Sequence, residues 1–301
     1  QFIGAIAPIF IIILCGHLIR RTGFLKEGFL TEANRFVFYV SLPFLILTGI
    51  VKSGMKGFDG TLALSVVLPS LVIAAVTLGL GYLLGLRNGR LGTFAQTSFH
   101  GNVSYIGLAV LVYLMGEKGM EQGSLLVGVL ILVNNVLAIT VLSWTSKNRS
   151  TMRTVLAPVV TNPVILATAA GMALVSAGLE IPAVILRTMT ILGNIALPLA
   201  LIIIGASMSA TGVRSSLALS ALTTSFKLGF LPYVCFLYGK AVSLPDEARF
   251  AGIILLATPT AVTSFTLARE IGGDSDLASS TVTLSTIFSP AAFVLWAAVI
   301  R

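Results

Sequence analysis

Charge is scarce in this chain. Only 10% of its residues are Asp, Glu, Lys or Arg, against about a quarter in soluble domains, so an ordinary water-covered surface is excluded. Acid is scarcer still: all eleven Asp and Glu residues fall in loops or at the ends of apolar stretches. Carriers that couple to sodium or protons commonly do so through buried carboxylates, which otherwise cost ~2.5–3.5 kcal/mol or more at the bilayer centre. A carboxylate-based cation exchanger is therefore disfavoured. Cysteine is almost missing, since Cys15 and Cys235 lie in different apolar stretches with no metal-ligand spacing and no disulfide framework. No metal and no cofactor are expected. Nor do the apolar stretches hold a His–Ser or paired-Asp constellation, which argues against an intramembrane enzyme.

What the chain has is long apolar runs. Its mean hydropathy is +1.00 and 56% of its residues are hydrophobic, the composition of an integral membrane protein. The runs are continuous rather than alternating, which favours helices over a β-barrel. Spans are expected near 3–19, 34–51, 61–84, 95–115, 123–145, 162–178, 185–208, 216–238, 249–269 and 279–300, ten in all. The chain opens at Gln1 on apolar sequence without a basic n-region, so the first stretch reads as a span rather than a signal. The net charge of +8 is spread over short loops with no basic stripe, so no nucleic-acid partner is expected.

One apolar span does not read as good helix. Gly101 to Gly107, GNVSYIG, packs two glycines, Asn102, Ser104 and Tyr105 into seven positions, and lipid tolerates freed backbone only where protein or a water-filled cavity satisfies it. A second interruption, ATPTAVTS around Pro259, lies 155 residues on from Ser104. The same offset relates Pro8 to Pro163, Gly16 to Gly171, Gly23 to Gly178 and Pro43 to Pro198. The chain therefore reads as two units, 1–145 and 162–301, joined by a short cytoplasmic linker at 146–161. Five spans per unit is odd, so the second unit enters from the opposite face. Inverted repeats with paired broken helices recur in secondary transporters, with the site near the midplane. With the N-terminus outside, eleven Lys and Arg face inward and seven outward, as the positive-inside rule prefers.

Helices resuming near Tyr105 and Val262 would each aim a free N-terminus, with ~+0.5 charge, at one centre. Asn102, Ser104 and Tyr105 on one side, with Thr258, Thr260, Thr263 and Ser264 on the other, add donors that would orient a carboxylate. Pro259 removes a donor and kinks the ninth span. The plainer alternatives are a packing kink at Gly101 and Gly107 and hydroxyls that bond back to their own helix. Lys227 falls well inside the eighth span, either as a counter-charge to an anion or as a lysine that snorkels to the interface. His100, beside the first break, is a candidate proton-linked group or a polar cavity residue. Asn134 and Asn135 in the fifth span, and Asn194 in the seventh, read as interhelical hydrogen-bonding residues, with one of the pair in reach of the crossover. Gly81 to Gly85, GYLLG, has the spacing of a helix-dimer face, so a homodimer is a candidate partner beside the bilayer and the anion.

The opening APIFIIILCGHLIRRTGFL, followed by NRFVFYVSLPFLI, GNVSYIGLAVL, ATPTAVTSFTLAREIGGD and TLSTIFS, resembles the auxin efflux carrier family along nearly the whole chain. The resemblance implies a ten-helix inverted-repeat fold akin to bile-acid symporters and sodium/proton antiporters. It also implies a scaffold domain of mainly helices 1, 2, 6 and 7, and a transport domain of mainly helices 3–5 and 8–10 whose fourth and ninth helices cross. Asn102 matches the family's first crossover asparagine and Pro259 its ninth-helix proline. Thr258 and Thr260 stand where a second asparagine is expected, and the short loop after the fifth span matches bacterial members better than plant ones. The expected function is a secondary carrier of a small organic anion, such as a dicarboxylate or auxin-like acid, in the inner membrane. A sodium-coupled symporter of the bile-acid type is the alternative; it predicts an acidic residue in the ninth-span break, and 257–265 has none.

Overall fold

The structure, a computed structural model, describes residues 2–55, 59–146, 160–207 and 217–300. Residues 147–159 of the expected linker lie outside the described residues. So do Lys56, Lys147, Arg149, Arg153, Arg214 and Arg301, which enter the charge count for orientation.

The described secondary structure is helical, with one isolated antiparallel bridge. In chain order the helices are α1 (Phe2–Arg21), α2 (Glu27–Ser53), α3 (Gly60–Leu83), α4 (Asn88–Phe99), α5 (Val103–Met115) and α6 (Glu117–Thr145). They continue as α7 (Pro163–Ser176), α8 (Ala183–Ser207), α9 (Leu217–Ala241), α10 (Asp246–Leu256), α11 (Thr263–Ile271) and α12 (Ser275–Val299). Six of them, α2, α3, α6, α8, α9 and α12, are long and apolar enough to cross a membrane. Large apolar side chains such as Leu83, Trp144, Val184 and Leu295 stand exposed on these helices, as lipid-facing positions require. The chain is an integral membrane protein whose described elements are all helices.

Local chemistry sets the helix ends. Asp59 accepts from the Leu62 amide at the start of α3, Asn162 from Val164 and Ile165 at α7, and Asp274 from Leu277 at α12; each satisfies amides a helix start leaves unpaired. α2 and α11 stop at Gly54 and Gly272, both in the left-handed region with φ of 58° and 86°, where a side chain would be strained. Two spans carry a π turn just ahead of a proline: Val37–Ser41 before Pro43 in α2, and Phe226–Phe230 before Pro232 in α9. Proline lacks the amide for the helical ladder, and a widened turn absorbs the gap.

The chain divides into two compact units. The first holds Gln1–Phe58, Ser104–Val129 and Val160–Met208. Within it α1 packs along α8 and the second half of α2 along α7. A Cβ on Gly16 would overlap the backbone of Ile202, one on Gly205 the backbone of Ile13, and one on Gly171 would press on Ile50 at 3.1 Å. α1 and α8 thus touch backbone to backbone, as small residues allow in membranes, and α7 brings its backbone onto the Ile50 side chain of α2. The second unit holds Asp59–Val103, Leu130–Val159 and Ser209–Arg301. In it α4 packs on α3, α9 and α12, and α10 on α3 and α9, around buried Phe94, Phe99, Leu255 and Phe293.

Gly81, half of the expected dimer motif, is used inside this second unit: a Cβ there would collide with Leu91 and press on Phe94 at 3.1 Å. Gly85 lies past the end of α3 with φ 80°, so the pair does not form a free helix face.

Candidate functional site

Both expected breaks exist, and they meet. α4 ends at Phe99, residues 100–102 run extended, and helix resumes as a π turn over Val103–Gly107. α10 ends at Leu256 and α11 begins at Thr263. The two extended pieces cross as an antiparallel bridge between Gly101 and Thr260. The Asn102 amide donates to the Pro259 carbonyl at 2.8 Å and the Ala261 amide to the His100 carbonyl at 2.9 Å. Freed backbone groups inside a membrane helix need partners, and here each break supplies them to the other. Pro259 thus lies opposite Asn102; the offset of 155 had set it against Ser104. Two pairs of left-handed residues mark the drift: Gly23 and Gly178, both at positive φ, keep the 155 spacing, whereas Gly85 and Ser243 lie three residues further apart.

Gly101 is the point of closest approach. A Cβ there would overlap the Thr258 hydroxyl and come within 3.0 Å of both Cε and Nζ of Lys227. Lys227 does not snorkel: it is fully buried in the π turn of α9, and its ammonium donates to the Leu256 carbonyl at 2.6 Å. That carbonyl belongs to the C-terminal end of α10, the negative end of a helix dipole, so the lysine sits where its charge is favoured. His100, 4% exposed, caps α4 and lies 3.5 Å from Gln96 through its Nδ1.

The threonines divide by what they hold. Thr258 donates to the Leu255 carbonyl at 2.9 Å and Thr260 to the Thr97 carbonyl at 2.9 Å, while the Thr260 amide donates to Ser285 Oγ at 3.0 Å. Both hydroxyl hydrogens are thus taken by backbone: Thr258 bonds back to its own helix, the plainer of the two readings, and Thr260 ties the second break to α4. Ser285 on α12 is a member of the crossing that sequence reasoning missed; its spacing within TLSTIFS gives no hint of its partner. Thr263 and Val262 are exposed at the start of α11, and neither amide has a partner among the described residues. Ser264 is buried with its hydroxyl unpartnered among them. Asn102 is 8% exposed and its side-chain amide likewise makes no hydrogen bond there. One short region of the second unit thus presents an asparagine amide, two free backbone amides and two hydroxyls.

Ser104 and Tyr105 fall in the first unit. The Tyr105 ring packs on Ala33, Val37, Ala200 and Ile203, and its hydroxyl donates to Asn34 Oδ1 at 3.1 Å. Asn135 bonds back to the Ile131 carbonyl at 2.7 Å, and Asn134 keeps a buried Oδ1 without a partner among the described residues.

The sequence matches the Membrane transport protein family over residues 1–154 and 146–297. It is 23% identical over 298 residues to an uncharacterized transporter of Methanocaldococcus jannaschii, covering 96% of this chain and 95% of that protein. It is 22% identical over 302 residues to an uncharacterized transporter of Methanothermobacter thermautotrophicus, covering 98% and 97%. With two interrupted apolar helices crossing in a buried polar centre and family matches that run the length of the sequence, the chain belongs to the Membrane transport protein family, that of the auxin efflux carriers.

Proposed function

We propose that this protein is a secondary carrier of a small organic anion, a carboxylate such as a dicarboxylate or an auxin-like acid, working by alternating access at the crossing of α4–α5 with α10–α11. The observation that carries this reading is the unspent donor set beside the crossing: the Asn102 side chain, the Val262 and Thr263 amides and the Thr263 and Ser264 hydroxyls. Free amides at a helix start bind anions through hydrogen bonds and the helix dipole together. Thr258, Pro259 and Thr260 hold the backbone that positions them, and Lys227 supplies a buried positive charge next to Gly101.

The ten spans form two inverted repeats in this reading, each break being the other's counterpart. Support comes from the 155 spacing kept by Gly23 and Gly178 and from close packing of α1 on α8 and of α2 on α7, which are equivalent pairs under that repeat. The unit built on α1, α2, α7 and α8 is the scaffold and the unit carrying the crossing is the transport part, with Pro43 and Pro198 as flex points of the scaffold.

The test is a solid-supported-membrane recording from proteoliposomes, with a panel of mono- and dicarboxylates applied with and without a sodium gradient. Currents evoked by a carboxylate without sodium, and lost in Asn102→Ala, are expected. Currents that appear only with sodium, or that are unchanged in Asn102→Ala for every transported anion, would overturn it.

A further inference from the structure

Three helices of the second unit run side by side to the crossing. Arg90 pairs with Asp274 at 3.5 Å and the Asp274 amide donates to Thr93 Oγ1 at 2.9 Å, which joins the start of α4 to the start of α12. Thr223 of α9 meets Thr281 of α12 hydroxyl to hydroxyl at 3.0 Å, each six residues into its helix. α4, α9 and α12 are therefore parallel and begin at one membrane face.

Their shared interior is polar. On α4, Thr93, Gln96, Thr97 and His100 lie at positions i, i+3, i+4 and i+7; on α9, Ser220, Thr223, Thr224 and Lys227 do the same. Such steps stack side chains on one helix face, and all eight residues are buried. α12 adds Ser280, 1% exposed, beside Thr281. From the first residue of α9 to Lys227 the stripe rises ~15 Å, half the hydrocarbon thickness.

Part of this seam is unsatisfied. Thr97 and Thr223 donate back to carbonyls of their own helices at 2.8 and 2.9 Å. Gln96 Oε1, Ser220 Oγ, Thr224 Oγ1 and Ser280 Oγ, in contrast, are buried and have no partner among the described residues. Leaving each so would cost ~1–3 kcal/mol. Several convergent polar atoms are the setting in which buried water is held. A metal cation is the poorer occupant, because the seam offers no carboxylate and ends at an ammonium.

We propose that this seam holds a file of waters that connects Lys227 and His100 to protons at the membrane face where Arg90 and Asp274 lie. A proton leaving the Lys227 ammonium passes to the nearest water while another emerges at the open end, and the reverse transfer restores it. His100 is the titratable neighbour on α4. α10 presents the Leu256 carbonyl, α12 presents hydroxyls with Asp274 and Asp276 only at the opening, and on α9 itself Cys235 and Lys240 lie two or more turns further on. This goes beyond the carrier reading, and its test uses no transported anion.

Thr224→Cys and Ser280→Cys are made separately in a Cys15→Ser chain and reconstituted. Silver ions, close to water in size, are applied before denaturation and labelling with N-ethylmaleimide. Native Cys235, fully buried against Gly252, is the dry reference in the same molecule. Loss of labelling at the introduced cysteines with Cys235 still labelled is expected. A pH jump applied to wild-type proteoliposomes without any anion is further expected to displace charge, and the transient to be lost in Lys227→Met and reduced in Thr224→Val. Introduced cysteines as unreactive toward silver as Cys235, or a transient that survives in both Lys227→Met and Thr224→Val, would overturn the proposal.

Discussion

Asn102 and Gly101 are adjacent yet do opposite jobs. Asn102 keeps its side chain free beside two unpaired amides, so Asn102→Ala is expected to leave the fold intact and to remove one hydrogen bond to a charged ligand, about 1.5–3 kcal/mol of binding or roughly ten- to a hundredfold in affinity. Carboxylate titration of purified wild type and variant by isothermal calorimetry checks this. Gly101 has no room: an alanine there meets Thr258 and Lys227 at once. Gly101→Ala is expected to destabilise the protein by ~1–3 kcal/mol as overpacking does, read as a lowered midpoint of thermal unfolding in detergent. The side chain of Asn102 could be singled out from the sequence, since an amide in an apolar run is conspicuous. That Thr258 and Thr260 are spent on carbonyls was not legible, because a hydroxyl's partner depends on which backbone passes it.

At the scale of elements, the crossing is held by bonds between chain segments far apart in sequence. Ser285 of α12 takes the Thr260 amide and Thr260 in turn takes the Thr97 carbonyl. Ser285→Ala leaves a buried amide unpaired and is expected to cost ~1–3 kcal/mol, with faster hydrogen exchange at residues 258–262 than in wild type as the readout. The close helix contacts of the first unit behave differently, since they rest on missing side chains. A Gly205→Val side chain would drive into the Ile13 backbone, so it is expected to abolish folded expression, followed by size-exclusion profile. Both breaks were visible as Gly, Pro and polar residues inside apolar runs; their register against each other was not, because the spacing of 155 kept by Gly23 and Gly178 has become 158 at Gly85 and Ser243.

For the whole molecule, the proposed inverted repeat makes a prediction that needs no substrate. Thr22 and Ala177 flank Gly23 and Gly178, two turns at positive φ that the proposed repeat makes equivalent. In a chain freed of its native cysteines, Thr22→Cys and Ala177→Cys are expected to react with an impermeant maleimide from opposite sides of the membrane, Thr22→Cys from the cytoplasm. Reaction of both from one side would remove the inverted topology, and with it the equivalence of the two breaks.

The membrane class, the positions of most apolar helices and the two interruptions follow from the sequence alone, because bilayer burial imposes long apolar runs and makes any glycine, proline or amide within them stand out. The depth of Lys227, the pairing of Gly101 with Thr260 and the unsatisfied hydroxyl seam were decided only by tertiary structure. Periodicity tells which face of a helix a side chain occupies, but what that face meets depends on other helices of the chain, and whether a lysine snorkels or stays buried depends on whether a carbonyl such as that of Leu256 is waiting for it.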